Sequence, residues 1–365
     1  MNGIFGKKEC FSVAVMVIFL LLNISTVCDA AAPVKGLKWA TIFPESDYNL
    51  PTVKQFGNDI EAFTHGSIKP TVYPTGVITE IKDLPEVCRT GAVEMSSAAP
   101  VNYPSLFPLN GVLTMFPIVF KNPEQAAYVW RGLSRDIPEI QGEYAKQNQY
   151  CLNRSTMARS LTLSKKPIRN LADLKGLKIR DFPGKYFPGM LRKAGASSNP
   201  IPMAEVFEGL SRGLLDAAMV SAPVIESLKF YEAAKYLGMP IGSFIGYHNS
   251  INLNVWNSFT PETRNAFNRA AIEWGIRDLE LQSTTEEKSI ESLKKKGVQL
   301  IEFDQKDWKT MLETGGNPWE AAKDFLVNDL KVNESVVNRF IKRWRELADE
   351  YEQKYLSAGK KWEYK

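Results

Sequence analysis

One arginine, Arg180, has the residue type and position that best suit ligand chemistry in this sequence. It ends the segment Pro167–Arg180, in which Leu177 and Ile179 alternate with charged residues as in a β-strand. In open α/β sheets ligands bind beyond the carboxyl ends of the strands, and a planar guanidinium holds a carboxylate through two parallel hydrogen bonds. The pattern therefore indicates a carboxylate contact at Arg180, although it also fits an exposed arginine at the end of a strand.

Residues that could carry out covalent or metal chemistry are few and scattered. The sequence contains the histidines His65 and His248 and, beyond residue 30, the cysteines Cys88 and Cys151. Their spacing matches no metal site, and the G-x-S-x-G, G-x-x-x-x-G-K and G-x-G-x-x-G motifs are absent. The sequence therefore predicts no enzyme, no metal and no cofactor. A disulfide between the two cysteines stays open, because an oxidising compartment would allow it but no framework spacing supports it.

The elements that must position Arg180 belong to an α/β pattern. Asn170 can cap a short helix that begins at Leu171, and Gly176 tolerates the left-handed backbone that ends such a helix. Strands alternate with helices up to Tyr150, and the same alternation starts again after it. This alternation is typical of βαβ units with a largely parallel sheet, and its restart indicates two α/β domains.

Two further helices differ from this pattern. Ser258–Lys296 reads as a helix with Pro261 in its first turn, and about thirty-six residues at 1.5 Å each would reach ~54 Å. Such a helix would lie across two domains, and a pair of helices bent near Gly275 is an equally good interpretation. The amphipathic segment Glu334–Tyr355 is expected to pack onto the outside of the body.

The first thirty residues have the parts of a cleavable signal peptide. Lys7 and Lys8 precede the apolar run Phe11–Leu22, and a small-residue cleavage site ends at Ala30. That apolar run is short for a membrane span of ~20 residues, so an uncleaved anchor and a lipoprotein at Cys28 are weaker interpretations. We expect an exported, periplasmic chain. Its formal net charge of +4 is too small to indicate nucleic acid binding and is compatible with a small anion.

The segment Leu171–Arg180, L-A-D-L-K-G-L-K-I-R, resembles the D-x-K-G-x-K-x-R block of the solute-binding proteins of tripartite ATP-independent periplasmic (TRAP) transporters. The resemblance runs from about Leu37 to about Phe303, with further blocks in the order and spacing of that family. These blocks are Ile68–Gly76, Cys88–Met95, Leu113–Phe120, Glu205–Asp216 and Lys229–Glu232.

The resemblance implies a two-lobed periplasmic binding protein fold with mostly parallel sheets, hinge strands and the long helix bridging both lobes. Lobe I would comprise residues 31–156 and about 245–280, lobe II residues 157–244 and about 281–330, and a C-terminal helix residues 331–365. In the family, the arginine at the position of Arg180 clamps the carboxylate of the ligand. A second arginine often lies earlier in the chain, where Arg159 fits after a one-residue shift and Arg154 is the alternative. Arg159 fits a surface charge at the end of a strand equally well.

The pocket residues depart from those of the sialic-acid-binding members. Val220 stands where those members have an asparagine, with Ser221 beside it, and Met203–Ala204 replace a phenylalanine and a serine. No acidic residue occupies Ala98–Ala99. A pocket with so few polar groups would leave the hydroxyls of a sugar acid without partners, so we expect a smaller or less polar monocarboxylate with an aromatic or branched chain. Candidate cleft aromatics, each equally compatible with core packing, are Phe43, Tyr48, Tyr103, Phe182 and Tyr186.

The function expected from these observations is binding without chemistry. A monomeric periplasmic protein would capture an organic acid anion and deliver it to the integral-membrane subunits of a TRAP permease. Delivery to a sensor kinase or to another transporter would use the same fold. An exported enzyme on a related scaffold is a further alternative, which the lack of a nucleophile–base pair disfavours.

Overall fold

The computed structural model describes residues 35–115, 120–181, 186–238 and 246–364. The predicted signal peptide and Phe182 lie outside these ranges. Within them, the chain forms two mixed β-sheets surrounded by helices, and none of the described helices combines the length and the apolar character that a membrane-spanning helix needs.

The first sheet is built from β1 (Lys35–Thr41), β2 (Ile68–Tyr73), β3 (Met95–Ala98), β4 (Gln149–Arg154) and β10 (His248–Asn252), in the order β2-β1-β3-β10-β4. The second sheet is built from β5 (Ser160–Ser164), β6 (Lys178–Arg180), β7 (Ser197–Ser198), β8 (Ala217–Ser221), β9 (Tyr236–Gly238) and β11 (Gln299–Ile301), in the order β11-β9-β5-β8-β6-β7. One strand of each sheet, β10 in the first and β5 in the second, runs antiparallel to its two neighbours, and the other pairings are parallel. The prediction of mostly parallel sheets is thereby confirmed.

The helices lie between and around these strands. The first group comprises α1 (Leu50–Phe63), α2 (Leu84–Thr90), α3 (Pro108–Val112), α4 (Pro123–Asp136), α5 (Glu139–Lys146), α6 (Tyr186–Lys193), α7 (Val206–Ser211) and α8 (Ala222–Ser227). The second group comprises α9 (Leu253–Asn257), α10 (Pro261–Lys295), α11 (Gln305–Gly315), α12 (Pro318–Asp324) and α13 (Glu334–Tyr351).

The carboxyl edges of the two sheets are joined by short linkers. The first linker, residues 155–159, runs from the end of β4 to the start of β5. Because β5 is antiparallel to β8, its first residue, Ser160, pairs with Ser221 at the carboxyl end of β8. The second linker, of which the structure describes Gly246 and Tyr247, precedes His248, which pairs with Ala98 and Arg154 at the carboxyl ends of β3 and β4. The first linker therefore joins the carboxyl edges of the two sheets.

The long helix α10 is continuous over 35 residues, so it is one helix rather than two. At its N-terminal half, Trp274 packs near Phe56 of α1, with ring centroids 5.9 Å apart. At its C-terminal half, Leu293 packs in the core of the second sheet, and Ser292 donates a hydrogen bond to Glu226 of α8. The expected bridge across both lobes is confirmed.

The end of the chain packs back onto this helix and onto α4. Val337, Phe340, Trp344 and Leu347 form the buried face of α13, and Tyr364 is buried against Gly275 of α10. A β-carbon on Gly275 would overlap the Tyr364 ring. Gly275 therefore makes room for the C-terminal residues instead of bending the helix.

Substituting Gly275 tests this packing. Gly275→Ala is expected to destabilise the protein by ~1–3 kcal/mol, because the added methyl group overpacks a filled contact. Gly142→Ala is the matched control, since it also lies within a helix and a β-carbon there meets nothing within 4 Å. That control should stabilise the protein slightly, because alanine is the better helix former. Urea unfolding of both variants measures the difference, and equal effects would contradict the Gly275–Tyr364 contact.

Candidate functional site

The segment that carries Arg180 folds as its sequence predicts. The side chain of Asn170 accepts a hydrogen bond from the backbone N–H of Asp173 at 3.2 Å, which caps the helical turn Leu171–Leu174. Gly176 has a φ of +79°, the left-handed conformation that ends the turn. The strand β6 follows and ends at Arg180, which places this arginine at the carboxyl edge of the second sheet.

Arg180 is a buried cation with 8% of its surface exposed. Its Nη1 donates to the carbonyl oxygen of Met219 at 3.0 Å and its Nε to that of Ile201 at 3.4 Å. Burial lowers the pKa of Arg180 to about 10, against the opposing effect of Asp181, so the guanidinium is charged at neutral pH. Burial raises the pKa of Asp181 to about 6, while Ser198 Oγ donates to this carboxyl at 2.9 Å. A buried guanidinium is costly unless an anion compensates it.

The neighbouring strand β8 contributes a hydroxyl to the same edge. Ser221 is the last residue of β8, and its buried Oγ has no hydrogen-bond partner among the described residues. Buried hydroxyls are rarely left unpaired in folded proteins, so this atom is suited to a polar ligand. Val220 packs in the hydrophobic core of the second sheet together with Leu161 and Val206. Met203 lies half-buried in a helical turn against that same core.

The aromatic candidates on the first sheet already have partners within the protein. Phe43 is buried, with its ring centroid 4.6 Å from that of Tyr247. Tyr103 is buried and donates its hydroxyl to the carbonyl oxygen of Ile81. Tyr48 donates to Gln282 at 3.0 Å. These contacts fit core packing, and their place near the carboxyl edge of the first sheet also fits a cleft wall.

Tyr186, the remaining aromatic candidate among the described residues, does not lie at the carboxyl edge of the first sheet. It opens α6, and its hydroxyl donates to the carbonyl oxygen of Gly316 at 3.4 Å. It borders a cavity between α6, α11 and α12 together with Met115, Met190 and Phe325.

The two candidates for a second arginine have different surroundings. Arg159, in the first linker, has 45% of its side chain exposed, and its Nε forms an ion pair with Glu286 of α10 at 2.6 Å. Arg154 is buried at the carboxyl end of β4, where His248 pairs with it across the sheet. Only Arg154, of these two, is a buried cation like Arg180.

A network that the sequence did not suggest holds Arg154 in place. Its Nη1 and Nη2 donate to the side-chain and backbone oxygens of Asn110 at 3.2 and 2.7 Å. Asn110 in turn donates its Nδ2 to the buried carboxylate of Glu143 at 2.8 Å, and Glu143 also accepts the backbone N–H of Leu109 at 2.7 Å. The sequence does contain one signal for this network, because the charged Glu143 lies between Ile140 and Tyr144 on the buried face of α5.

The buried Glu143 predicts a pH dependence of stability. Burial raises its pKa from the usual 4.5 to about 7. Between these pH values the folded protein retains a proton that the unfolded chain has released, so this residue lowers the free energy of unfolding as pH rises from about 4.5 to about 7. Glu143→Gln is expected to flatten that slope.

Urea unfolding across this pH range measures the slope. Glu139→Gln, one turn earlier in α5, is the control, because hydrogen bonding to Arg339 lowers the pKa of Glu139, so this residue titrates below the measured range and its removal should leave the slope unchanged. An unchanged slope in Glu143→Gln would show that Glu143 is ionised throughout this range.

Of the remaining chemistry-bearing residues, the two cysteines and His248 are all buried. Cys88 and Cys151 are buried and free, so no disulfide joins them. His248 is buried against the rings of Phe107 and Tyr144, and burial lowers its pKa well below the usual value. Within the described ranges, no cluster of three histidine, cysteine, aspartate or glutamate side chains could hold a metal ion.

Several known proteins resemble this chain in sequence or in fold. The 2,3-diketo-L-gulonate-binding periplasmic protein YiaO of Escherichia coli (strain K12) is 26% identical over 299 residues, which cover 81% of this chain and 88% of that protein. The monocarboxylate 2-oxoacid-binding periplasmic protein of Nostoc sp. is 26% identical over 292 residues, 78% of each chain. A TRAP periplasmic solute-binding protein from Roseobacter denitrificans, solved with bound β-D-glucuronate, superposes with a TM-score of 0.72 at 24% identity, covering 84% of this chain and 99% of that one.

The family match covers most of the chain. Residues 39–324 match the DctP family, described as bacterial extracellular solute-binding protein, family 7. Its relatives are binding proteins rather than enzymes. The two facing sheets and the bridging helix are also those of the two-lobed TRAP receptor fold. The chain therefore belongs to bacterial extracellular solute-binding protein family 7, and it is a solute-binding protein of the TRAP type.

Proposed function

We propose that this protein captures an organic acid anion between the carboxyl edges of its two sheets, with Arg180 holding the carboxylate of the ligand. The observation that carries the proposal is the burial of the Arg180 guanidinium at a sheet edge that also carries Ser221, whose hydroxyl has no hydrogen-bond partner among the described residues. A bound carboxylate would accept charge-assisted hydrogen bonds from the guanidinium and give the Ser221 hydroxyl a partner. The names of the relatives, which bind diketogulonate, 2-oxoacids and a uronate, support an acid as the ligand class.

The finer proposal is a monocarboxylate with an aromatic or branched chain. It is supported by the apolar residues beside the two carbonyl partners of Arg180, because Val220 follows Met219 and Met203 lies two residues after Ile201, and neither side chain donates hydrogen bonds. The monocarboxylate 2-oxoacid-binding relative is a protein with this ligand chemistry. The glucuronate-binding relative represents the competing chemistry, in which hydroxyls must be satisfied.

The second cationic contact is proposed to come from Arg154 or Arg159. Arg154 is favoured by its burial, since Arg159 already has Glu286 as a counter-ion. The lobes are proposed to close over the acid about the linkers near residues 157 and 245, the expected lobe boundaries. Closure would be driven by the higher affinity of the closed state for the ligand.

We further propose that the mature protein is periplasmic, acts as a monomer and delivers its ligand to the integral-membrane subunits of a TRAP permease. The family description and the periplasmic relatives support export. A pair of genes for polytopic TRAP subunits beside this gene would support delivery to a permease, whereas a neighbouring sensor kinase gene would favour the alternative.

A thermal-shift screen tests the ligand class. Binding at ~100 times the dissociation constant adds ~2.7 kcal/mol to the stability of the folded protein. We expect branched or aromatic 2-oxoacids and other monocarboxylates to raise the melting temperature, and uronates and dicarboxylates to have little effect. A response to uronates alone would overturn the monocarboxylate proposal, and a flat response to every acid would overturn the proposed site.

A further inference from the structure

The middle of the long helix α10 binds both the first linker and a loop of the first sheet. Asp278, Gln282 and Glu286 lie one helical turn apart on this helix, and we name these three residues the clasp. Asp278 and Gln282 are buried, with Gln282 only 1% exposed. Each member of the clasp contacts a different residue of the first linker.

Asp278 and Glu286 hold the two ends of that linker. Ser155 Oγ lies 2.7 and 2.9 Å from the two carboxylate oxygens of Asp278. Glu286 accepts both the backbone N–H of Arg159 at 3.2 Å and its Nε at 2.6 Å. The linker that joins the two sheets is therefore bound to the helix at its start and at its end.

Gln282 connects the linker to the first sheet. Its Oε1 lies 3.3 Å from the backbone N–H of Ala158 and 3.0 Å from the hydroxyl of Tyr48, both of which donate to it. Its Nε2 donates to Asn49 Oδ1 at 2.9 Å and to Asp278 at 3.2 Å. A single side chain thus bridges the linker, the loop before α1 and the helix.

Gly246 and Tyr247, the described residues of the second linker, are packed against Ser155 of the first linker. The backbone N–H of Ser155 donates to the carbonyl oxygen of Tyr247 at 2.8 Å. Gly246 approaches Ser155 so closely that a β-carbon would overlap the backbone of Ser155. Asp278 therefore binds Ser155 at the place where the first linker contacts Gly246 and Tyr247 of the second.

The hydrogen bonds that Asp278 and Gln282 make are buried or partly buried, and this makes them sensitive to geometry. The Ser155 and Gln282 groups that donate to Asp278 are neutral, and burial raises the pKa of this carboxyl to about 7. Buried hydrogen bonds of this kind cost ~1–3 kcal/mol when one partner is removed. A rotation of one lobe against the other must move the linker relative to the helix, so it must strain or break them.

From these contacts we infer that Gln282 and Asp278 are positioning residues that set the range of orientations between the two lobes, acting through the linker from outside the ligand contact at Arg180. The inference goes beyond ligand capture and does not depend on which acid binds. Loosening the clasp should change the distribution of lobe orientations in the protein without added ligand.

The experiment uses residues 31–365, the predicted mature chain, with one spin label on each lobe, because Cys10 and Cys28 lie in the predicted signal peptide. Asn58→Cys on α1 and Ser211→Cys on α7 are exposed labelling sites near the first and the second sheet, while the native Cys88 and Cys151 are buried. Pulsed electron spin resonance then gives the distance distribution between the labels. Gln282→Met is the test variant, since methionine fills a similar volume but makes none of the four hydrogen bonds.

Glu280→Met is the matched control, because it introduces the same residue on the exposed face of the same helix. We expect Gln282→Met to broaden or shift the distance distribution relative to the wild type, and Glu280→Met to leave it unchanged. Ser155→Ala, which removes a hydroxyl and leaves no overpacking, should shift it in the same direction. A lower melting temperature with an unchanged distribution in both Gln282→Met and Ser155→Ala would overturn the inference and reduce the clasp to a stabilising contact.

Discussion

Arg180→Met is expected to weaken binding of the captured acid by ~30-fold or more. Truncating one partner of a buried charge pair costs ~2–5 kcal/mol, and ~1.4 kcal/mol corresponds to a tenfold change in affinity. Methionine keeps much of the length of the arginine side chain and its apolar stem, so the loss should reflect the missing guanidinium more than a cavity. Isothermal titration calorimetry with the acid that gives the largest response in the thermal-shift screen measures the change.

Arg212→Met is the matched control for Arg180→Met. Arg212 lies just after α7 on the same lobe, with 72% of its side chain exposed in an ion pair with Glu208. Exposed ion pairs contribute little to stability, and this residue lies away from the sheet edge that carries Arg180. We expect the Arg212→Met variant to bind the acid with the same affinity as the wild type. Equal affinities of all three proteins would show that Arg180 does not hold the carboxylate.

Trp344→Ala is expected to cause the largest loss of stability, ~3–5 kcal/mol, as for other buried tryptophans. Trp344 is fully buried on α13, stacked on Phe120 at 5.7 Å and in edge contact with Trp319 at 5.1 Å. Removing the indole leaves a cavity where the C-terminal helix packs onto the rest of the protein. Urea unfolding followed by tryptophan fluorescence and by circular dichroism measures the loss.

Lys342→Ala is the control for this prediction. Lys342 lies on the opposite, solvent-facing side of α13, where 80% of its side chain is exposed. The free energy of unfolding of the Lys342→Ala variant should stay within ~0.5 kcal/mol of that of the wild type, as for surface substitutions in general. If Trp344→Ala unfolds like Lys342→Ala, the C-terminal helix is only loosely attached and does not form part of the core.

The sequence predicted those features that depend on neighbours along the chain. The cap at Asn170, the left-handed Gly176 and the strand that ends at Arg180 are all local, and each was found where its residues predict it. The long helix was also predicted, because its capping residues and its polarity extend over a continuous segment. Whether it bends at Gly275 was not decidable, since the reason for that glycine is Tyr364, far along the chain.

The features that the sequence did not predict depend on contacts between distant residues. Arg154 is held by Asn110, which in turn donates a hydrogen bond to Glu143 on another helix. Arg159 lies beside Glu286 because the linker runs along α10. Neither spacing nor periodicity contains this information, so the two arginines could not be distinguished by sequence. The clasp was hidden for the same reason, since its partners Tyr48 and Ala158 are separated from it by much of the chain.

In the proposed site, the buried guanidinium of Arg180 recognises the negative charge of the ligand. Calorimetric titration of the wild-type protein with the best-binding carboxylic acid and with its primary amide tests this most directly, because the two differ in charge but little in shape. We expect the amide to bind at least ~30-fold more weakly, in line with the ~2 kcal/mol or more of a lost buried charge pair. Equal affinity for the acid and the amide would contradict it.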